Sequence, residues 1–153
     1  MRDPAGELED ALCQSKRVIV GQDRMVERAF LCRLARGHCL IEGVPGLAKT
    51  LTVSTMASVV GGSFTRIQFT PGLVPSDVTG LTVYDQKMGT CACHPGPIFH
   101  AIVLADEINR ASPKTQSALL EVMEEGHVTV DGVTHAVPHP FMVIATQTPL
   151  DRH

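Results

Sequence analysis

Hydrophobic residues along the chain occur both at helical spacing and in short continuous runs. Residues 23–35 carry apolar side chains at helical spacing, and Gly37 ends this pattern. Residues 49–60 predict a second helix, closed by the glycines at 61 and 62. The apolar face of the first of these helices consists of Val26, Ala29, Phe30 and Leu34.

Four short segments predict β-strands. Residues 38–42, 101–105 and 141–146 are apolar runs typical of buried strands, whereas residues 64–70 alternate between apolar and polar side chains. Short apolar strands that alternate with helices predict an α/β fold. In such a fold a parallel sheet is covered by helices on both faces.

The best-marked helix lies between the last two of these strands. Ser112 is its predicted N-cap, Pro113 takes the first helical position, and Gly126 follows its end. After it, Asp131-Gly132 separates two alternating runs and predicts a β-hairpin. The inner stripe of the helix consists of Ala118, Leu119, Val122 and Met123.

Proline and glycine are concentrated in two other stretches, residues 71–80 and 89–97. We expect both to be loops that leave the sheet and return to it.

Length and composition indicate one globular domain of 153 residues with 44% hydrophobic side chains. A formal net charge of −3 and a single tyrosine give no support for a nucleic-acid surface. We therefore expect no nucleic-acid partner.

No apolar run is long enough for a membrane span, and the acidic first 15 residues are unlike a signal peptide. The expected location is the cytoplasm.

Five cysteines, an odd number at irregular spacing, predict reduced thiols rather than a disulfide framework. The segment "CACH" (Cys91, Cys93, His94) raises the alternative of a metal site. Structural zinc commonly takes four ligands from two separated pairs, and no second pair is evident. Loop residues in contact with solvent are the favoured interpretation.

The segment "EGVPGLAKTL", from Glu42 to Leu51, is similar to the phosphate-loop pattern G-x-x-x-x-G-K-[ST], with Ala48 in place of the second glycine. The pattern needs a buried strand before the loop and a helix after it, and both are predicted here. Lys49 would reach the β- and γ-phosphates, and Thr50 would bind magnesium. A simple strand-to-helix turn would explain the glycines, but it would not explain lysine and threonine in register.

A second motif supports a nucleotide site. In "AIVLADEINR" two carboxylates, Asp106 and Glu107, follow a fully apolar strand. Ligands of an open parallel sheet bind at the carboxyl ends of its strands. An aspartate that holds magnesium and a glutamate that polarises the attacking water fit these two positions.

The chain resembles the MoxR-type AAA+ ATPases over roughly residues 16–149. This resemblance implies a P-loop NTPase fold that binds ATP and magnesium and hydrolyses ATP. It also implies ring assembly, often as hexamers, a chaperone role, and partners with von Willebrand factor A domains. The segments that carry the resemblance are "VIVGQ", "EGVPGLAKTL", "FTPGLVPSDVTG", "ADEINRASPKTQSALLEVMEEG", "VTVDG" and "FMVIATQTP".

The family's functional residues match positions of this chain one by one. Its magnesium-binding residues match Thr50 and Asp106, and its catalytic glutamate matches Glu107. Gln68 is a candidate for the polar residue that restrains this glutamate between turnovers. The nucleotide-binding positions are Val20, Gly21 and Gln22 beside the adenine, and Gly43, Val44, Pro45, Gly46, Leu47, Ala48, Lys49, Thr50 and Leu51 around the phosphates.

The chain departs from the family in two respects. Thr148 stands where the family has an asparagine that orients the attacking water, and we assign that catalytic role to Thr148. The chain also stops at His153, before the family's fifth strand, arginine finger and helical lid; Arg152 is too isolated to be assigned as the finger. We therefore predict a lead-in at residues 1–15 and a partial AAA+ core at 16–153. The alternative function is a truncated nucleotide-binding module without turnover.

Overall fold

The computed structural model describes residues 3–18, 23–43 and 47–149. Within them the chain forms five α-helices, a short 3₁₀ turn at Ile108–Arg110, and eight strands. The helices are α1 (Pro4–Val18), α2 (Asp23–Leu34), α3 (Leu47–Val60), α4 (Pro75–Thr79) and α5 (Pro113–Glu125). The strands are β1 (Cys39–Glu42), β2 (Phe64–Gln68), β3 (Gly80–Asp85), β4 (Thr90–Pro95), β5 (Ile102–Asp106), β6 (His127–Val130), β7 (Val133–Ala136) and β8 (Met142–Gln147).

Four strands form an all-parallel sheet in the order β1-β8-β5-β2. This confirms the predicted α/β class. Successive residues of β5 and β8 point to opposite faces of the sheet, and each face is the centre of its own hydrophobic cluster. On one face Val103 and Val143 pack with Leu119 of α5. On the other, Leu104 and Ile144 pack with Phe30 of α2 and with α3.

The strand predicted at residues 38–42 is present as β1, but the prediction that it is buried was wrong. β1 lies at one edge of the sheet, and among the described residues its strand neighbour is β8. Its side chains alternate between half-buried and exposed, and Leu40 is 58% exposed. An apolar run alone cannot distinguish a central strand from an edge strand, because burial depends on what the rest of the chain places beside it.

The predicted helix ends are largely confirmed. Ser112 Oγ accepts a hydrogen bond from the backbone N–H of Thr115 at the start of α5 (3.4 Å), and Gly126 ends that helix with a φ of 72°. At the end of α2 the left-handed residue is Arg36 (φ 56°) rather than the predicted Gly37. The N–H of Gly37 instead donates a hydrogen bond to the carbonyl of Cys32 (2.9 Å) just after the helix ends.

The predicted hairpin at residues 128–137 is confirmed by the antiparallel pair β6 and β7. Both of its turn residues have positive φ, 48° at Asp131 and 81° at Gly132, as a type I′ turn requires.

The two stretches predicted as loops, residues 71–80 and 89–97, contain regular structure. They hold α4, the first residue of β3 and the whole of β4, and β3 and β4 form an antiparallel hairpin. The hairpin leaves the body of the protein where Gly80 and Gly96 cross. A Cβ on either glycine would lie 2.5 Å from the backbone nitrogen of the other. These glycines therefore permit close backbone approach rather than an irregular loop.

Helix α1 packs against α2 and α3, and its Leu8 and Leu12 contact the hydrophobic cluster that contains Leu104 and Ile144. The proposed division between residues 15 and 16 falls inside this helix and remains a proposal. In the described ranges the structure shows no helix long and apolar enough to cross a membrane.

Candidate nucleotide site

Gly43 and Lys49 come together where β1 ends and α3 begins. Gly43 has a φ of 152°, and a Cβ built on it would lie 3.7 Å from Nζ of Lys49. Lys49 and Thr50 both lie in the first turn of α3, and both are half-buried. The ammonium nitrogen of Lys49 is buried, with no hydrogen-bond partner among the described residues. A buried cation without a partner is costly, and an anionic ligand would compensate for that cost.

Other predicted positions of the phosphate loop and the adenine segment fall outside the described residues: Val44, Pro45 and Gly46, and Val20, Gly21 and Gln22. Leu47 and Ala48 are described as helical backbone of α3. Leu51 follows in the same helix and is 48% exposed.

Asp106 and Glu107 lie at the carboxyl end of β5, as predicted. Asp106 is the last residue of the strand, and Glu107 has a left-handed backbone with φ 54° and ψ 50°. A non-glycine residue in this region carries strain of roughly 1 kcal/mol. The strained backbone turns the chain out of the sheet into the 3₁₀ turn, and it directs the Glu107 side chain towards β2.

The carboxylate of Asp106 is held by side chains from two neighbouring strands. The hydroxyl of Thr146 on β8 donates to Oδ1 (2.6 Å), and Arg66 on β2 donates to Oδ2 through Nη2 (2.5 Å) and Nε (3.2 Å). Burial alone would raise the pKa of Asp106. The hydrogen bonds from Thr146 and Arg66, with the charges of Arg66 and Lys49, outweigh burial and hold this pKa below its ordinary value. Asp106 is therefore an ionised oxygen donor suited to magnesium.

The carboxylate of Glu107 is held by a different pair of side chains. Nε2 of Gln68 donates to its Oε2 (2.9 Å), and Nη1 of Arg110 donates to the same oxygen (3.1 Å). The Glu107 side chain is 18% exposed and that of Arg110 is 56% exposed. Thr146 links the Asp106 carboxylate to the backbone of Glu107, because its hydroxyl oxygen also accepts from the backbone N–H of Glu107 (2.9 Å).

Thr148 follows β8 and is exposed. Its carbonyl accepts a hydrogen bond from Nδ2 of Asn109 (3.3 Å), which ties the segment after β8 to the turn after Glu107. The catalytic role assigned to the Thr148 side chain remains a prediction.

Four residues of this site were not predicted from the sequence: Arg66, Arg110, Thr146 and Asn109. Thr146 interrupts an otherwise apolar run near the end of β8, a signal that could have been used. Arg66 and Gln68 share one face of β2, but their partners lie about 40 residues away in sequence. Local pattern could not reveal those pairings.

The "CACH" segment does not gather into a metal site. Its residues lie on β4, where Cys91 is paired with Tyr84, Cys93 with Thr82, and His94 with Leu81. Alternation along the strand puts the two thiols on one face and the imidazole on the other. Among the described residues no group of three histidine, cysteine or acidic side chains could hold a metal ion.

Strand order and the position of this site define a class of protein. A parallel sheet with a strand–loop–helix unit at one end and an acidic pair at the carboxyl end of β5 is the P-loop NTPase fold of the AAA+ class. The family of ATPases associated with various cellular activities (AAA) matches residues 38–153, and the chain belongs to this family as one of its MoxR-type members.

Three similar proteins support this assignment. The chaperone MoxR1 of Mycobacterium tuberculosis is 55% identical over 94% of the chain, and the protein YeaC of Bacillus subtilis is 55% identical over 88%. A crystal structure of a Cytophaga hutchinsonii protein, provisionally described as an ATPase, superposes with a TM-score of 0.85 over 97% of the chain at 44% identity. The chain spans 38%, 42% and 45%, respectively, of the lengths of these three proteins.

Proposed function

We propose that the chain is the nucleotide-binding core of a MoxR-type AAA+ ATPase that binds ATP with Mg²⁺ and hydrolyses it. The observation that carries this proposal is the buried ammonium of Lys49, which has no hydrogen-bond partner among the described residues and whose charge acts on Asp106. An anionic ligand would supply the hydrogen-bond acceptors that this ammonium lacks among those residues.

The described residues fit a nucleotide with its metal. Lys49 would neutralise phosphate oxygens, and the first turn of α3 would supply backbone N–H donors and a favourable dipole. Thr50 and Asp106 would hold magnesium, since a hydroxyl and an ionised carboxylate are the oxygen donors that this ion prefers. Magnesium bound with ATP would neutralise charge on the phosphates.

Glu107 is the proposed general base. It follows Asp106 at the carboxyl end of β5, and its carboxylate accepts hydrogen bonds from Gln68 and Arg110. To polarise an attacking water, Glu107 must exchange one of these donors for that water. Gln68 is therefore proposed to restrain Glu107 until a nucleotide is in place.

The remaining proposals depend on family resemblance. A relative is named as a chaperone, and we extend that role to this protein, together with a ring, often hexameric, a cytoplasmic location and a von Willebrand factor A domain partner. The alternative function is nucleotide binding without turnover.

Substitution of Glu107 by glutamine tests the proposal. The Glu107→Gln variant should bind ATP as tightly as the unsubstituted chain but release phosphate far more slowly, because an amide cannot polarise water. Phosphate release and calorimetric ATP affinity should be measured for the 153-residue chain and for a form extended to the length of its relatives. Glu124→Gln, an exposed position on α5, is the matched control.

Equal turnover in Glu107→Gln and the unsubstituted protein would remove Glu107 from the catalytic role. Tight binding without turnover in both lengths would favour the alternative function, and absence of ATP binding would contradict both.

A further inference from the structure

Arg66 contacts the Asp106 carboxylate directly and is connected to the Glu107 carboxylate through Gln68. It lies on β2 two residues before Gln68, so both side chains share one face of the strand. Its Nη2 donates to Oδ2 of Asp106 (2.5 Å) and also to Oε1 of Gln68 (2.6 Å). One guanidinium therefore contacts both the proposed magnesium ligand and the residue that restrains Glu107.

The amide of Gln68 transmits this contact in a defined direction. Its oxygen accepts from Arg66, so its nitrogen faces Glu107 and donates to Oε2 (2.9 Å). Asp106, Arg66, Gln68 and Glu107 consequently form one continuous chain of hydrogen bonds. A displacement of Arg66 would leave the Gln68 oxygen without its donor and would loosen the amide's orientation.

The contact with Asp106 conflicts with metal binding. Arg66 donates twice to Oδ2, which uses both lone pairs of that oxygen, and the Thr146 hydroxyl already occupies Oδ1. A guanidinium and a divalent cation on one carboxylate also repel each other, and this site is only partly exposed, 44% at the Arg66 side chain and 15% at that of Asp106. In the arrangement seen here Asp106 keeps one lone pair free, on Oδ1, and a metal bound there would lie beside a guanidinium that repels it.

We propose that Arg66 is a positioning residue that competes with the divalent cation for Asp106, and that its withdrawal releases Gln68 and thereby Glu107. The inference rests on the proposed function and deepens it. It makes metal loading the event that readies the general base, so that the base stays restrained until the metal has arrived.

The test measures how strongly Mg²⁺ improves nucleotide binding. Affinity for the non-hydrolysable analogue AMP-PNP is determined by calorimetry in EDTA and in Mg²⁺, and the ratio of the two dissociation constants is the magnesium coupling. Arg66→Gln should increase this ratio about three- to tenfold, because the metal no longer displaces a partly exposed ion pair. Arg66→Lys keeps a cation at Asp106 and should stay close to the unsubstituted chain.

Two control variants separate this effect from loss of charge. Arg24→Gln and Arg28→Gln each remove an exposed arginine on α2. Both should leave the coupling unchanged. Thermal melts of every variant report stability, and a merely structural role for Arg66 would lower the melting temperature without a change in coupling.

A second readout follows Gln68 directly. In the ¹⁵N NMR spectrum of the chain, addition of Mg²⁺ and AMP-PNP should shift the Gln68 side-chain amide resonances. In Arg66→Gln these resonances should already be displaced before metal is added. If the magnesium coupling of all variants stayed within twofold of that of the unsubstituted chain and the Gln68 resonances did not move, this inference would be overturned, while the proposed function would stand. Failure of the unsubstituted chain to bind nucleotide would contradict the proposed function and this inference with it.

Discussion

The hydroxyl of Thr146 donates a hydrogen bond to Oδ1 of Asp106 at 2.6 Å and accepts one from the backbone N–H of Glu107 at 2.9 Å. Thr146 is buried, and it comes from β8, the strand beside β5. A single buried hydroxyl thus hydrogen-bonds the carboxylate of Asp106 and the backbone N–H of Glu107, and it stabilises the left-handed backbone at Glu107.

Replacement of Thr146 by valine should lower the free energy of unfolding by about 1–3 kcal/mol, because it leaves a buried carboxylate oxygen and a buried N–H without a partner. Urea unfolding measures the change. Thr146→Ser retains the hydroxyl and should recover most of the loss. Equal losses in the serine and valine variants would mean that the methyl group, not the hydroxyl, stabilises the site.

Replacement of Lys49 by alanine should weaken ATP binding by about 1–3 kcal/mol, as expected for a charged hydrogen bond to phosphate. Since the ammonium has no hydrogen-bond partner among the described residues and its burial is costly, stability should not fall. Calorimetry and urea unfolding test the two parts separately. Lys114→Ala, on the exposed face of α5, serves as the control. ATP affinity equal to that of the unsubstituted chain would exclude Lys49 from the site.

His38 should make stability depend on pH. Its Nδ1 accepts from the N–H of Val143 (2.9 Å) and its Nε2 donates to the carbonyl of Met123 (3.3 Å), so the folded ring is neutral. Burial lowers the pKa of His38, and the hydrogen bond to Met123 opposes this only in part. Below its ordinary pKa of about 6.5 the unfolded chain binds a proton that the folded chain resists. Stability should therefore fall as the pH drops from 7.5 towards about 5.5.

Measurement of the urea midpoint across this pH range checks the prediction. His38→Gln is the informative variant, because glutamine can accept from Val143 and donate to Met123 without titration. It should flatten the slope, whereas His94→Gln on the exposed hairpin should not. The low pKa of Asp106 adds a separate loss of stability only at more acidic pH, as that carboxylate becomes protonated. Identical slopes for His38→Gln and the unsubstituted chain would contradict the assignment.

The exposed edge of β1 should cause self-association of the 153-residue chain. Leu40 on this edge is 58% exposed and lines, with Leu120, an apolar groove of about 260 Å³ beside α5. An apolar strand edge without lysine or proline is a template for strand pairing. Leu40→Lys should raise the monomer fraction in sedimentation velocity. Leu31→Lys, at a position 62% exposed on α2, is the matched control and should not. Equal effects of the two lysines would attribute association to surface hydrophobicity in general.

Elements with local signals could be predicted well. The capping residues Ser112 and Gly126 predicted the ends of α5, and Asp131-Gly132 predicted the hairpin of β6 and β7. Each of these residues acts on backbone groups within a few residues of itself. The position of Asp106 and Glu107 could be predicted in the same way, because an apolar strand followed by two acidic residues can be recognised without knowledge of the neighbouring strands. The local sequence was less informative at β3. Glycine is typical of loops, but Gly80 is needed there because the backbone of Gly96 lies so close to it.

The amino-acid sequence by itself determined the α/β class, the strand–loop–helix unit around Lys49, and the acidic pair at the end of β5. Family resemblance named Gln68 as the partner of Glu107, but only the tertiary structure decided that Arg66 and Thr146 meet those acids. They reach them because β2, β5 and β8 are neighbours in register, and pairing between parallel strands depends on the whole sheet. The tertiary structure also decided how little of β1 is buried, because burial is a property of what packs alongside a strand rather than of the strand's own residues.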